Sequence, residues 1–214
     1  FDLLYGLPLQ TLQTLSKTLE RVMVFRPERI TLLKYCHAPE VRRHMKLIKE
    51  SDLPFNLDEM FIHAVNFLQN HGYIWVGLDH FALPSDSLSH TVGRTFNGFS
   101  SGTTEMIGVG PTSTGAFGEV YCQSQYELPE YYKAIDKGEF PMFRGYKMTP
   151  DDLKRREVIY SLLCNQKADL DPEYFKKEIS TLKLYPKACE FVGERLYITN
   201  RFYLRNVCNI FNIK

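Results

Sequence analysis

What this chain lacks narrows its chemistry before any motif is considered. Its five cysteines, Cys36, Cys122, Cys164, Cys189 and Cys208, are odd in number, and none lies within four residues of another. No Cys-x2-Cys metal knuckle can be drawn from them, and reduced thiols of a cytoplasmic protein are expected. An excess of either charge is also missing, since 26 Lys and Arg face 25 Asp and Glu. A net charge of +1 leaves no electrostatic footprint for nucleic acid or an anionic membrane. No apolar run approaches a membrane span. No basic stretch, apolar core and small-residue cleavage site open the chain, so a secretory leader is not expected. There are no internal repeats or low-complexity tracts. What remains, 44% hydrophobic and 24% charged over 214 residues, suits one large globular domain or two small ones. The chain begins at Phe1 inside an apolar strand-like run, so a fragment, a processed chain or a cropped sequence is expected.

The first part alternates strand and helix. Phe1 to Tyr5 is a short apolar run closed by Gly6 and Pro8, and Leu12, Leu15, Leu19 and Val22 then recur at helical spacing behind Thr11, a candidate N-cap. Arg26-Pro27 ends that helix and Ile30 to Tyr35 returns as a strand, so the two strands of this βαβ unit should be parallel. Asn56 and Glu59 resemble a capping box ahead of the apolar face Leu57, Met60, Phe61, Ala64, Val65 and Leu68. Gly72 is placed to stop that helix, and Tyr73 to Leu78 is the next strand. Strict alternation of this kind predicts a piece of a parallel α/β sheet or barrel, with ligands at the carboxyl ends of the strands.

Residues Ser85 to Gly118 are rich in Ser, Thr and Gly, and read as a surface loop or a substrate-side lid. Thr149-Pro150-Asp151-Asp152 then caps a helix with Leu153, Ile159, Leu162 and Leu163 on its apolar face, and Asp171-Pro172 opens another with Phe175, Ile179 and Leu182. Leu196 to Thr199 reads as a strand and Leu204, Val207 and Phe211 as a closing helix.

Few residues here announce chemistry. Gly77-Leu78-Asp79-His80-Phe81-Ala82-Leu83-Pro84 places an acid and an imidazole side by side where an apolar strand is expected to leave its sheet. The pair either belongs to a site or orients an imidazole for local structure. His37, at a strand-to-loop boundary, either holds its own loop or faces a ligand. Gly108-Val109-Gly110 allows close backbone approach or an ordinary tight turn. It does not fit Gly-x-Gly-x-x-Gly, because Ser113 stands at the third glycine position. The basic residues Arg42, Arg43, His44, Lys46 and Lys49 read as a solvated helix face before an anion site.

Eight segments follow in order: Asp2 to Pro8, Tyr35-Cys36-His37, Asp79 to Ala82, Thr95 to Phe99, Gly108 to Gly110, Arg155 to Ile159, Cys164-Asn165 and Arg205 to Val207. Taken together they resemble the motifs of the oxygen-independent coproporphyrinogen III oxidases, radical S-adenosylmethionine (SAM) enzymes of haem synthesis. Asp-His-Phe-Ala discriminates most, since the related haem chaperones carry Glu-Ile-Ser-Asn-Phe-Ala there. The resemblance implies an α/β fold: residues 1–120 as the C-terminal strands and helices of an incomplete parallel (β/α) radical SAM barrel with a lid, and 121–214 as a small, mostly helical, winged-helix-like domain. It implies that Asp2 and Cys36 contact the second of two SAM molecules, although the family usually has Ala at the latter position. Thr114, where the family usually has Ile, falls at the first SAM, with Phe96 and Asn97 nearby; no catalytic residue and no metal ligand is assigned. The implied reaction is oxidative decarboxylation of two propionates of coproporphyrinogen III to vinyl groups. In it a reduced [4Fe-4S] cluster cleaves SAM to a 5′-deoxyadenosyl radical that abstracts hydrogen from the propionate. The cluster needs Cys-x3-Cys-x2-Cys, which this chain does not contain. The expectation is therefore a C-terminal half, inactive alone, whose whole enzyme requires an electron donor. A non-catalytic haem or tetrapyrrole carrier, or a haem-chaperone relative, is the alternative. Nucleic-acid binding through the C-terminal end is disfavoured by the near-zero charge.

Overall fold

Helical periodicity and strand alternation build the first two layers. In the computed structural model, which describes residues 1–90, 94–96, 99–100 and 105–212, strand β1 (Asp2–Tyr5) leads through helix α1 (Leu12–Phe25) to strand β2 (Arg29–Lys34). Thr11 caps α1 as expected: its hydroxyl accepts the Thr14 N–H (3.2 Å), and the Thr14 hydroxyl accepts the Thr11 N–H (2.9 Å). The two strands pair in parallel, with Leu3 beside Leu32. Two exposed turns of 3-10 helix follow, Arg43–Leu47 and Glu50–Asp52, and then helix α2 (Leu57–Asn70), which Gly72 ends at φ 86°. Leu15 and Leu19 of α1, Ile30 and Leu32 of β2 and Met60, Ala64, Val65 and Leu68 of α2 are buried between the layers. Each large side chain so buried contributes about 1.5–3 kcal/mol.

The third strand runs in the same direction as β1 and β2, as expected, but it does not pair with them, because an unexpected antiparallel strand lies between. Strand β3 (Ile74–Gly77) does not leave the sheet at Asp79-His80; the chain reverses and returns as β4 (His80–Ala82), giving the order β1-β2-β4-β3. β4 is antiparallel to both of its neighbours. The reversal is local chemistry. Leu78 takes a left-handed φ of 46°, and the Trp75 indole N–H donates to the Leu78 carbonyl (2.7 Å). The Asp79 carbonyl then accepts the Leu32 N–H (2.8 Å), fastening the turn to β2. Helix α3 (Ser87–His90) and strand β5 (Arg94–Phe96) follow.

The chain divides into two compact units, Phe1–Phe96 and Asn97–Lys214, whereas the sequence suggested a division at residue 120, which is the first residue of strand β8. The second unit holds β6 (Phe99–Ser100), β7 (Thr114–Phe117), β8 (Val120–Ser124), α4 (Leu128–Asp136), β9 (Met142–Lys147) and α5 (Pro150–Asn165). It continues with β10 (Lys167–Asp169), α6 (Lys176–Leu182), β11 (Cys189–Val192), β12 (Arg195–Ile198) and α7 (Leu204–Phe211). Strands β7, β8 and β9 form one antiparallel sheet, and β10, β12 and β11 another. The sequence had shown one strand in this last region; β10 and β11 are added because β12 needs partners for its backbone polar groups. Arg155 of α5 ties three helices together, donating to Asp151 (2.8 Å), to Glu178 of α6 (2.8 Å) and to the Phe211 carbonyl of α7 (3.4 Å). Among the described residues, no helix is long and apolar enough to cross a membrane.

Candidate functional site

Strand alternation sorts the first sheet into two chemically different faces. Ile30, Leu32 and Phe81 turn inward to the helices. The register places Asp2 of β1 beside Thr31 of β2, and Thr31 beside His80 of β4, so these three side chains line one level of the opposite face. Exposure falls along this row: Asp2 is exposed, Thr31 half-buried and His80 buried. The Thr31 hydroxyl lies 3.4 Å from His80 Nδ1. Burial pushes the His80 pKa below its ordinary value, and the nearby carboxylates of Asp79 and Asp2 oppose that shift without cancelling it. His80 is thus a neutral imidazole at neutral pH. An exposed carboxylate, a hydroxyl and a neutral imidazole at one level can accept hydrogen bonds from hydroxyl or ammonium donors of a ligand.

The loop beyond β2 is a different place. Cys36 is exposed there. It lies five residues past Thr31, the level of Asp2. At a strand rise of about 3.3 Å per residue this separation is roughly 16 Å along an extended chain. The two expected contacts of one SAM molecule therefore sit at different levels rather than side by side. His37 packs in its own loop, with Nδ1 3.4 Å from the Tyr35 hydroxyl. Arg42, Arg43, His44, Lys46 and Lys49 are all exposed, as a solvated face should be.

Thr114 opens β7 in the second unit. Phe96 ends β5, and Asn97 lies outside the described residues. The β7-β8-β9 register sets Thr114, Gln123 and Arg144 at one level, and Ala116, Tyr121 and Tyr146 two residues along on the same face. Met106 extends the second row by an isolated bridge to Ala116. A groove of about 580 Å³ is lined by Met106, Thr114, Tyr121, Gln123, Arg144 and Tyr146 together with the backbone between them. The Gly108-Val109-Gly110 segment runs against the same sheet and leads into a turn at Pro111-Thr112. A Cβ on Gly108 would come within 2.5 Å of the Thr114 carbonyl, and the Ser113 hydroxyl donates to the Gly110 carbonyl (2.7 Å). Its glycines thus make room for its own backbone. Thr31, Gln123, Arg144, Tyr121 and Tyr146 escaped the sequence reading. The signal available was the alternation of Tyr121 and Gln123 in Val120–Ser124, but pairing partners cannot be read from one strand.

The residues present do not fit an iron–sulfur cluster. None of the five cysteines forms a disulfide, and burial pushes the Cys208 thiol up to about 12 and raises Cys189 as well. Among the described residues, no three His, Cys, Asp or Glu side chains are grouped to hold a metal ion. The exposed Asp2 carboxylate can accept hydrogen bonds, and the exposed Thr114 hydroxyl can donate or accept them, as the polar groups of SAM require of a partner.

No family model matches the chain. It is 33% identical over 233 residues to the oxygen-independent coproporphyrinogen III oxidase of Escherichia coli, covering 99% of this chain and 51% of that protein. It is 36% identical over 206 residues to the enzyme of the same name from Helicobacter pylori, covering 88% of this chain and 45% of the other. The anaerobic coproporphyrinogen III oxidase 1 of Cereibacter sphaeroides is 33% identical over 177 residues, with 79% and 39% covered. Among solved structures, the coproporphyrinogen III oxidase of E. coli, described as a radical SAM enzyme, superposes with a TM-score of 0.86 at 32% identity over 98% of this chain and 54% of that one. The chain spans about half the length of the relatives it matches.

Proposed function

We propose, from the premise that this chain is homologous along its whole length to about half of the oxygen-independent coproporphyrinogen III oxidases, that it forms the C-terminal half of such an enzyme. The observation that carries this reading is the superposition of 98% of this chain on 54% of the E. coli oxidase, with a TM-score of 0.86 at 32% identity. The substrate is then coproporphyrinogen III, two of whose propionates each lose carbon dioxide, a proton and two electrons to become vinyl groups. SAM, when bound in the complete enzyme, supplies the radical chemistry of that oxidation, and an electron donor serves the cluster-bearing part. The residues of this chain bind and orient. Asp2 accepts hydrogen bonds from the second SAM molecule while Thr31 and the neutral His80 continue the same polar level. Cys36 lies on the adjoining loop as a further contact to that molecule. Thr114 is assigned to the first SAM, and Phe96 and Asn97 to the same molecule, by the family resemblance alone. The setting is the cytoplasm.

The test is anaerobic turnover of coproporphyrinogen III. The 214 residues alone should give none, and joined to a polypeptide carrying Cys-x3-Cys-x2-Cys they should give protoporphyrinogen IX. Turnover by the isolated chain, or none by the joined protein, contradicts the reading. The absence of that cysteine motif from these residues also favours a second reading, a tetrapyrrole carrier without turnover. Tight stoichiometric haem binding by the joined protein, with no SAM-dependent product, decides for the carrier.

A further inference from the structure

The groove on the β7-β8-β9 sheet carries a cation whose surroundings differ from those of the other paired arginines. Arg29 pairs with Asp86, Arg155 with Asp151 and Glu178, and Arg195 with Asp169. Arg144, exposed on β9, has no carboxylate partner among the described residues. Its Nε–H donates instead to the Gln123 side-chain oxygen (2.8 Å) across the β8-β9 pair. That bond fixes the plane of the guanidinium by its inner nitrogen, and the two terminal amino groups are the parallel donors that a carboxylate accepts.

The next row supplies the opposite chemistry. Met106, Tyr121 and Tyr146 line the groove with a thioether and two aromatic rings. The hydroxyls of both tyrosines are already engaged, Tyr146 donating to Asp152 (2.7 Å) and Tyr121 lying 3.2 Å from the Tyr160 hydroxyl. What these residues offer a ligand is therefore ring surface, and a volume of about 580 Å³ accepts one pyrrole ring of the macrocycle with its side chains. A fixed cation beside aromatic walls matches a ring that carries acidic arms.

We propose that Arg144 receives a propionate carboxylate of the tetrapyrrole, with its pyrrole ring against Tyr121 and Tyr146. This inference rests on the function proposed above and adds a specificity residue to it. The role is one of binding and positioning.

The probe is coproporphyrin III, the air-stable tetracarboxylate, compared with its tetramethyl ester in fluorescence titrations of the joined, cluster-bearing protein. Arg144→Gln should lose roughly tenfold in affinity for the tetra-acid, as loss of a charge-assisted pair implies. It should leave the ester unchanged, and Arg144→Lys should recover part of the loss. Thermal melts of both variants should match the parent protein, because the side chain is exposed. Equal affinity of parent and Arg144→Gln for the tetra-acid would overturn the inference. So would an equal loss for acid and ester, or a loss confined to SAM, whose own carboxylate would then be the partner. If the joined parent protein gives no turnover of coproporphyrinogen III, the functional reading falls with the inference; turnover with neither porphyrin bound, or an unaffected Arg144→Gln, removes the inference alone.

Discussion

The two sheets present the same device in opposite chemical forms. In the first unit, Asp2, Thr31 and His80 cross three strands at one level and run from water to the core. In the second, Thr114, Gln123 and Arg144 cross three strands at one level and stay on an accessible surface. Burial decides what each row can do. It holds His80 neutral and makes it a hydrogen-bonding group, whereas a guanidinium keeps its charge on any such surface. The first row can receive donors of a ligand and the second can receive its anions.

The comparison breaks most readily at the core behind the first row. Phe81 is fully buried between His80 and Ala82, on the face opposite to the site. Phe81→Ala should destabilise the first unit by about 3–5 kcal/mol. Urea unfolding monitored by Trp75 fluorescence checks this, and a loss below about 1 kcal/mol would mean that the row does not depend on this core.

The second unit has its own support, the nearly buried pair of Arg155 and Glu178, with side chains 12% and 10% exposed. Arg155→Ala leaves Glu178 without that partner and should cost about 3 kcal/mol, measured as a fall in the denaturant midpoint. Arg155→Ala should leave the first unit's unfolding midpoint unchanged, which sharpens the division at Phe96/Asn97.

A smaller effect separates the rows by pH. The folded His80 pKa is lowered, so the unfolded chain, near the ordinary value of about 6.5, binds this proton first as pH falls. The stability that depends on neutral His80 is full above about pH 6.5 and is lost as pH drops through the folded value, at no more than ~1.4 kcal/mol per pH unit. His80→Asn should flatten that part of the profile in thermal melts at a series of pH values. An identical slope in the variant would show that other groups set it.

The smallest structural effect belongs to Asp2. Because its side chain is exposed, Asp2→Asn should shift stability by less than about 0.5 kcal/mol. It should weaken SAM binding by the joined protein several-fold, as calorimetry would read, and unchanged affinity would remove Asp2 from the proposed contacts.

How much of this was legible depends on how local the signal was. The Thr11 cap, the Gly72 stop and the Thr149 cap were readable because each is settled within a few residues, whereas the capping box expected at Asn56 and Glu59 is absent, the two side chains bonding each other instead. The β3-β4 reversal was not, since Leu78 gives no sign of a left-handed φ in a sequence of apolar residues. Strand β9 was missed for another reason: all six of its residues are exposed, so it carries no inward-outward alternation to detect. Asp2, Cys36 and Thr114 could be named only through the family resemblance, and the strand register alone showed Thr31 beside Asp2 and Arg144 at the level of Thr114, across Gln123.

On the function proposed above, this chain supplies ligand-binding surface while the cluster is held by residues outside it. Anaerobic reconstitution of the 214-residue chain with ferrous iron and sulfide tests it most directly, read as acid-labile sulfide retained per chain after desalting. The account predicts none above the level of a variant with all five cysteines replaced by serine. A stoichiometric cluster on the parent chain, lost in that variant, would contradict it.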